Sequence, residues 1–333
     1  MKRRQEERRT FLKRATQTAA LLATSGWRDL SVLAGEADVA DVADQSSSPA
    51  RTLTPVRIGI LLGTFKTGSL ATRLDGAKSN GIDIVQLSMD CTGLPLMPDA
   101  ITPQLARQIR AEAAARKITL ASVSGTFNMC HPDLEQRQAG LRRLRVIAEA
   151  CQEMGIDKIH LCSGTRDRTS MWKAHPDNDT PEAWRDTMAS MREAVDIARQ
   201  ARVVLAFEPE VNNVVSSARK ARRLIDEIGS PHLKVTFDAA NLFPAGQLPR
   251  MKEILEEAFA LIGREVVLAH AKDLDHDGDA GHLPAGHGKL DYDTYIALLR
   301  KYKFTGPLLL HSLTEAQVPE CVGFLRRKIN APA

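Results

Sequence analysis

Two carboxylates and two imidazoles, Glu208, Asp238, His270 and His311, follow one another along the second half of the chain at intervals of 30, 32 and 41 residues. Each stands directly after a short apolar run: Leu205-Ala206-Phe207, Val235-Thr236-Phe237, Val267-Leu268-Ala269 and Leu308-Leu309-Leu310. Two carboxylates and two imidazoles can hold one divalent ion and leave positions open for a substrate oxygen. Each residue taken singly has a plainer use. A strand-end carboxylate commonly caps a helix, as Asp238 would for the segment containing Asn241, and a lone strand-end His is commonly a satisfied hydrogen-bonding residue. Four at intervals of one βα unit match what a barrel needs to converge on its active face, so one divalent metal ion is the expected cofactor.

The elements that must position these residues are legible as alternating apolar and amphipathic segments. Candidate strands run over 56–61, 83–87, 119–124, 158–162, 203–207, 233–237, 266–270 and 308–311. Helical spacing fills the gaps, as in Leu141, Leu144, Ala148 and Cys151 or Met251, Leu255, Ala258 and Ile262. Gly81, Gly155, Gly229 and Gly263 fall where helix must return to strand. Eight βα units in about 275 residues predict a single (β/α)8 TIM barrel over 53–330, after a signal and linker over 1–52. A doubly wound open sheet would want a glycine-rich phosphate turn after the first strand, and none is present.

Four motifs, Phe207-Glu208-Pro209-Glu210, Phe237-Asp238-Ala239-Ala240-Asn241, His270-Ala271-Lys272-Asp273 and Gly286-His287-Gly288-Lys289-Leu290-Asp291-Tyr292, carry a family resemblance. Together they resemble the xylose isomerase-like barrel superfamily of sugar isomerases and epimerases, over residues 55–328. The resemblance implies that Glu208, Asp238 and His270 bind one ion of Mn, Mg, Zn or Co, with a second Glu at the end of the last strand. His311 stands there instead. In the family's epimerases the two glutamates also act as acid and base, so two-base epimerisation does not transfer to this chain. An imidazole in place of a carboxylate makes the site softer and favours Zn, Mn, Fe or Co over Mg. Glu208 is then the expected base, Lys272 the group that steadies a developing enolate, and His311 a ligand in the catalytic position.

Further polar residues fall on loops of the presumed active face. His131, Arg166, Lys173, His175, Asp273 and His287 are candidates for holding substrate hydroxyls or a carboxylate, against the plainer use of ordinary loop surface. His276 and His282 read as surface. His160, inside a candidate strand, reads as a core hydrogen-bonding residue rather than a ligand.

Charge narrows the partners. Of the net +4, residues 1–26 hold seven Lys/Arg against two Glu, which is +5 and leaves the remainder at −1. A near-neutral body lacks the basic surface that phosphate backbones require, so nucleic acid is not an expected partner; a small-molecule sugar is. Five cysteines show neither zinc-ribbon nor disulfide-scaffold spacing and read as small buried hydrophobes. No apolar run reaches the ~20 residues of a membrane span. A homo-oligomer is left open. Arg8-Arg9-Thr10-Phe11-Leu12-Lys13 before a weakly apolar stretch resembles a twin-arginine export signal, which implies a periplasmic or secreted location. A basic amphipathic N-terminal helix is the plainer alternative. The activity expected is metal-dependent proton transfer beside the carbonyl of an unphosphorylated sugar, keto-sugar or cyclitol. A lyase or dehydratase on a keto-sugar or keto-glycoside is the second reading and a non-catalytic sugar-binding barrel the third. A barrel nuclease would need further His and Glu ligands that the chain does not display.

Overall fold

Leucine-rich and β-branched runs form eight parallel strands: β1 (Arg57–Leu61), β2 (Ile84–Leu87), β3 (Thr119–Ser124), β4 (Lys158–Cys162), β5 (Val204–Glu208), β6 (Leu233–Asp238), β7 (Val266–Asp273) and β8 (Pro307–Leu310). Each pairs with its neighbour in chain order, β8 pairs with both β7 and β1, and the ring closes. The computed structural model describes residues 56–331. The twin-arginine motif, the linker and the expected boundary at 52/53 lie outside the described residues.

Eight helices cover the barrel: α1 (Leu70–Ser79), α2 (Pro103–Ala115), α3 (Leu134–Met154), α4 (Pro181–Ala201), α5 (Ala218–Ile228), α6 (Met251–Ile262), α7 (Tyr292–Lys301) and α8 (Val318–Asn330). Their starts are encoded locally. Ser69, Thr102, Asp133, Thr180, Ser217 and Asp291 each accept a hydrogen bond from a first-turn backbone N–H, and Pro103 and Pro181 occupy first-turn positions that need no donor. Gly155 and Gly229 end α3 and α5 in the left-handed conformation. The apolar helix faces pack on the outside of the strands, and all five cysteines are free and buried. No helix among the described residues is long and apolar enough to cross a membrane.

Inside the ring, Ala206, Leu268 and Leu309 make a separate apolar cluster, and each fully buried Leu contributes about 1.5–3 kcal/mol. The two-residue period of a strand puts Glu208, His270 and His311 in the next layer toward the strands' carboxyl ends. Gly59 keeps the ring tight: a Cβ there would lie 2.6 Å from Leu309 Cδ2 and 2.8 Å from the Ile84 carbonyl. Several boundaries depart from the sequence expectation by a residue, and two departures bear on the site. β7 runs past His270 to Asp273, because Lys272 and Asp273 pair antiparallel with a two-residue strand, Leu283–Pro284. β8 ends before His311, where Ser312, at φ 56°, turns the chain.

Candidate metal centre

Glu208 and Asp238 are the last residues of β5 and β6, His270 lies opposite Asp238 in β7, and His311 follows β8. The register thereby gathers four residues from four strands around His270. His270 Nδ1 is 3.4 Å from Glu208 Oε2 and 3.7 Å from Asp238 Oδ2, and His311 Nδ1 is 3.9 Å from the same Asp238 oxygen. Lys272 Nζ lies 3.3 Å from Asp238 Oδ2. Asp238 also serves as the cap read from sequence, since its Oδ1 accepts from the Ala240 N–H at 3.0 Å. One oxygen fixes the loop and the other faces the cluster.

Asp238 Oδ2, both ring nitrogens of His270 and Nδ1 of His311 are buried without a hydrogen-bond partner. Buried polar atoms rarely stay unpaired, so donors from Asp238, His270 and His311 gathered in one place fit a cation site rather than a core. Such groups could hold a metal ion. The charges agree. Burial alone would push the His270 imidazolium down, but Glu208 and Asp238 outweigh it and hold it up to about 9. Burial opposes ionisation of Asp238, yet Lys272 and His270 keep it well below the usual carboxylate range. The cluster thus strongly attracts positive charge.

Glu208, His270, Lys272 and His311 form the floor of a cavity of about 780 Å³ lined also by Lys66, Gln86, Asp90, Glu210 and Asp279, with Leu96 and Trp172 exposed at its wall. Glu210 had no distinct role in the sequence reading. It is buried on the loop after β5, and burial together with the neighbouring Glu208 pushes its carboxyl up to about 8. Asn241 donates to Glu208 Oε1 and fixes that carboxylate. His160 makes the core hydrogen bond expected of it, Nδ1 to Thr236 Oγ1 at 3.1 Å, but its Nε2 faces Glu208 Oε2 at 3.5 Å.

The other residues singled out from sequence are not brought to this floor. Arg166, Lys173 and His175 line a second cavity of about 380 Å³. There Arg166 is bound by Asp186 and Glu182, Lys173 lies 3.2 Å from Asp167, and His175 accepts from the Asp177 N–H. His131 accepts from the Asp133 N–H and lies 3.4 Å from the Arg168 carbonyl. His287 faces Glu320 on the surface at 3.5 Å. His276 and His282 are exposed beside Asp275.

Asp273 has a structural task. Its carboxylate accepts from the N–H groups of Leu274, Gly286 and Leu290, which ties the glycine-rich loop to β7. Gly286 sits at φ 88° and Gly288 packs directly on that carboxylate, so the glycines of the motif serve this close approach. Hydrogen bonds to a charged acceptor contribute about 1.5–3 kcal/mol each, so Asp273→Ala, which removes three, should lower the melting temperature by roughly 10–20 °C and open the loop to protease. An unchanged melting curve and digestion pattern would remove Asp273 from this role.

A closed parallel barrel with a buried carboxylate and imidazole cluster at its carboxyl face defines the class. The chain belongs to the xylose isomerase-like TIM barrel family, whose model matches residues 74–328. It is similar to L-ribulose-5-phosphate 3-epimerase UlaE of Escherichia coli, 26% identical over 247 residues that cover 73% of this chain and 82% of the relative. Among solved structures it is similar to a D-tagatose 3-epimerase-like protein, with TM-score 0.67, 14% identity and coverage of 82% and 97%. It is also similar to the IOLI protein with a bound zinc atom, with TM-score 0.63, 14% identity and coverage of 82% and 97%.

Proposed function

We propose that the chain is a metal-dependent sugar isomerase or epimerase-like enzyme that moves a proton on the carbon beside a carbonyl of an unphosphorylated sugar, keto-sugar or cyclitol. The observation that carries the proposal is the set of unpartnered donors from Asp238, His270 and His311, with Glu208 beside them, on the floor of a substrate-sized cavity. A divalent ion held by these four residues would polarise the substrate carbonyl and acidify the neighbouring C–H bond. Zn, Mn, Co or Fe suits the imidazoles better than Mg, and the zinc of the IOLI structure supports that choice.

The side chains supply the rest. Glu208, fixed through Asn241, would supply the base, and Lys272 holds an ammonium beside Asp238 where oxygen charge would develop. His311 occupies the place of a second carboxylate, which favours proton removal from one face. That observation also supports the second reading, a lyase on the same centre; loss of water or of an aglycone, read by product mass, separates the two.

The epimerase relative is named for a phosphorylated ketose. Here Asp90, Glu208, Glu210 and Asp279 line the cavity against Lys66 and Lys272, and Lys272 is already paired with Asp238. Besides Lys272, the cavity lining among the described residues offers Lys66 and no arginine, so a phosphate dianion finds little to bind it. The test is turnover of free ketoses and their phosphate esters by the metal-loaded protein. Free sugars should be preferred by about 100-fold or more in kcat/KM, equivalent to about 2.7 kcal/mol. Preference for the esters would refute the unphosphorylated assignment. Export through Arg8-Arg9 belongs to the same proposal, and an Arg8→Lys, Arg9→Lys chain distributed like the parent would count against it.

A further inference from the structure

We propose that His160 is a fifth protein donor to the ion, an inference that rests on the metal reading above and extends it one layer deeper into the barrel. His160 lies on β4 opposite Ala206, and the small Ala206 side chain leaves room for the imidazole to reach past β5 to Thr236 on β6. The Thr236 hydroxyl also contacts the Ala206 carbonyl, at 3.1 Å. A carbonyl can only accept, so the single hydroxyl proton is committed to it and Thr236 Oγ1 is left to accept from the ring. That assigns the proton of the neutral imidazole to Nδ1 and leaves Nε2 with a bare lone pair.

Nε2 is aimed at the cluster. It stands 3.5 Å from Glu208 Oε2, and ring nitrogens of His160 and His270 and a Glu208 oxygen all lie within 4.8 Å of one another. A lone pair facing a carboxylate in a buried site is repulsive unless a cation lies between them. Donors that share one ion at about 2.1 Å stand roughly 3–4 Å apart. The 3.5 Å from His160 to Glu208 fits that spacing, as do the 3.4 and 3.7 Å from His270 to Glu208 and Asp238 and the 3.9 Å from His311 to Asp238. The donors form two triads, His160–Glu208–His270 and Asp238–His270–His311, joined through His270. Thr236 then acts as the partner that fixes the tautomer of a ligand histidine. Three imidazoles and two carboxylates favour a borderline metal, and a six-coordinate ion would keep one position for a single substrate oxygen.

The test uses the full chain loaded with Co(II), whose visible spectrum reports donor number and type. His160→Ala and His160→Gln should both weaken Co(II) affinity at least tenfold in chelator competition and change the absorption bands, while melting curves of the metal-free chains verify folding. Gln can still hydrogen-bond Thr236 but offers no imidazole nitrogen, so restoration of parent affinity and spectrum by Gln would reduce His160 to a positioning residue. Thr236→Val should weaken binding by about 10–100-fold through loss of the tautomer partner. Parent-like affinity and spectrum in both His160 variants would overturn the proposal. A parent chain that takes up no ion would bring down the metal reading itself, and the proposal with it.

Discussion

His270→Ala should purify as a folded barrel with less than a tenth of the parent's bound metal. His270 sits at the centre of the cluster, 3.4 Å from Glu208 and 3.7 Å from Asp238, so its removal separates the donors that remain. Asp238→Asn should have the same effect while keeping the side-chain oxygen that caps the Ala240 N–H, although it also removes the charge partner of the buried Lys272. Asp238→Ala is the harsher change. It would leave the buried Lys272 ammonium without its partner, and breaking a buried pair from one side costs about 3–5 kcal/mol. Elemental analysis beside thermal melting checks all three, and full metal occupancy in His270→Ala would sink the assignment of the centre.

Glu208→Gln should cost far more activity than metal. The amide keeps the shape of the side chain and an oxygen that accepts from Asn241 while the other three metal donors remain, but it cannot accept a proton from carbon. General-base catalysis contributes typically 10²–10⁴-fold, so turnover should fall by about 10³-fold while metal content falls much less. Exchange of solvent deuterium into the substrate carbon is the sensitive measure. Exchange that continues at the parent rate would mean that the proton goes to another group, of which Glu210 is the nearest in sequence facing the same cavity.

The barrel was legible because strand runs, helix caps and glycine stops are written locally, and β3 and β4 begin and end where their residues predict. Glu208, Asp238, His270 and His311 were legible for a related reason: strand-end positions in consecutive βα units converge whatever the details of the helices. The loops were not. Arg166 and Lys173 read as substrate contacts until the long-range pairs to Asp186 and Glu182, and the local one to Asp167, are seen. Asp273 resembles a site residue because it neighbours Lys272, yet β7 alternates faces and sends its carboxylate to the glycine loop instead. His160 carried one available signal, a polar residue two positions before a strand end and so on the same face, but only the structure shows that the ring reaches Thr236 with one nitrogen and the cluster with the other.

Anomalous diffraction from crystals of the full chain soaked with Zn or Mn tests the central claim most directly, since it requires no substrate. One strong peak per chain is predicted among Glu208, Asp238, His270 and His311. The exposed trio Asp275, His276 and His282 offers an alternative set of donors on the surface. A peak only there, or none at saturating metal, would contradict the account.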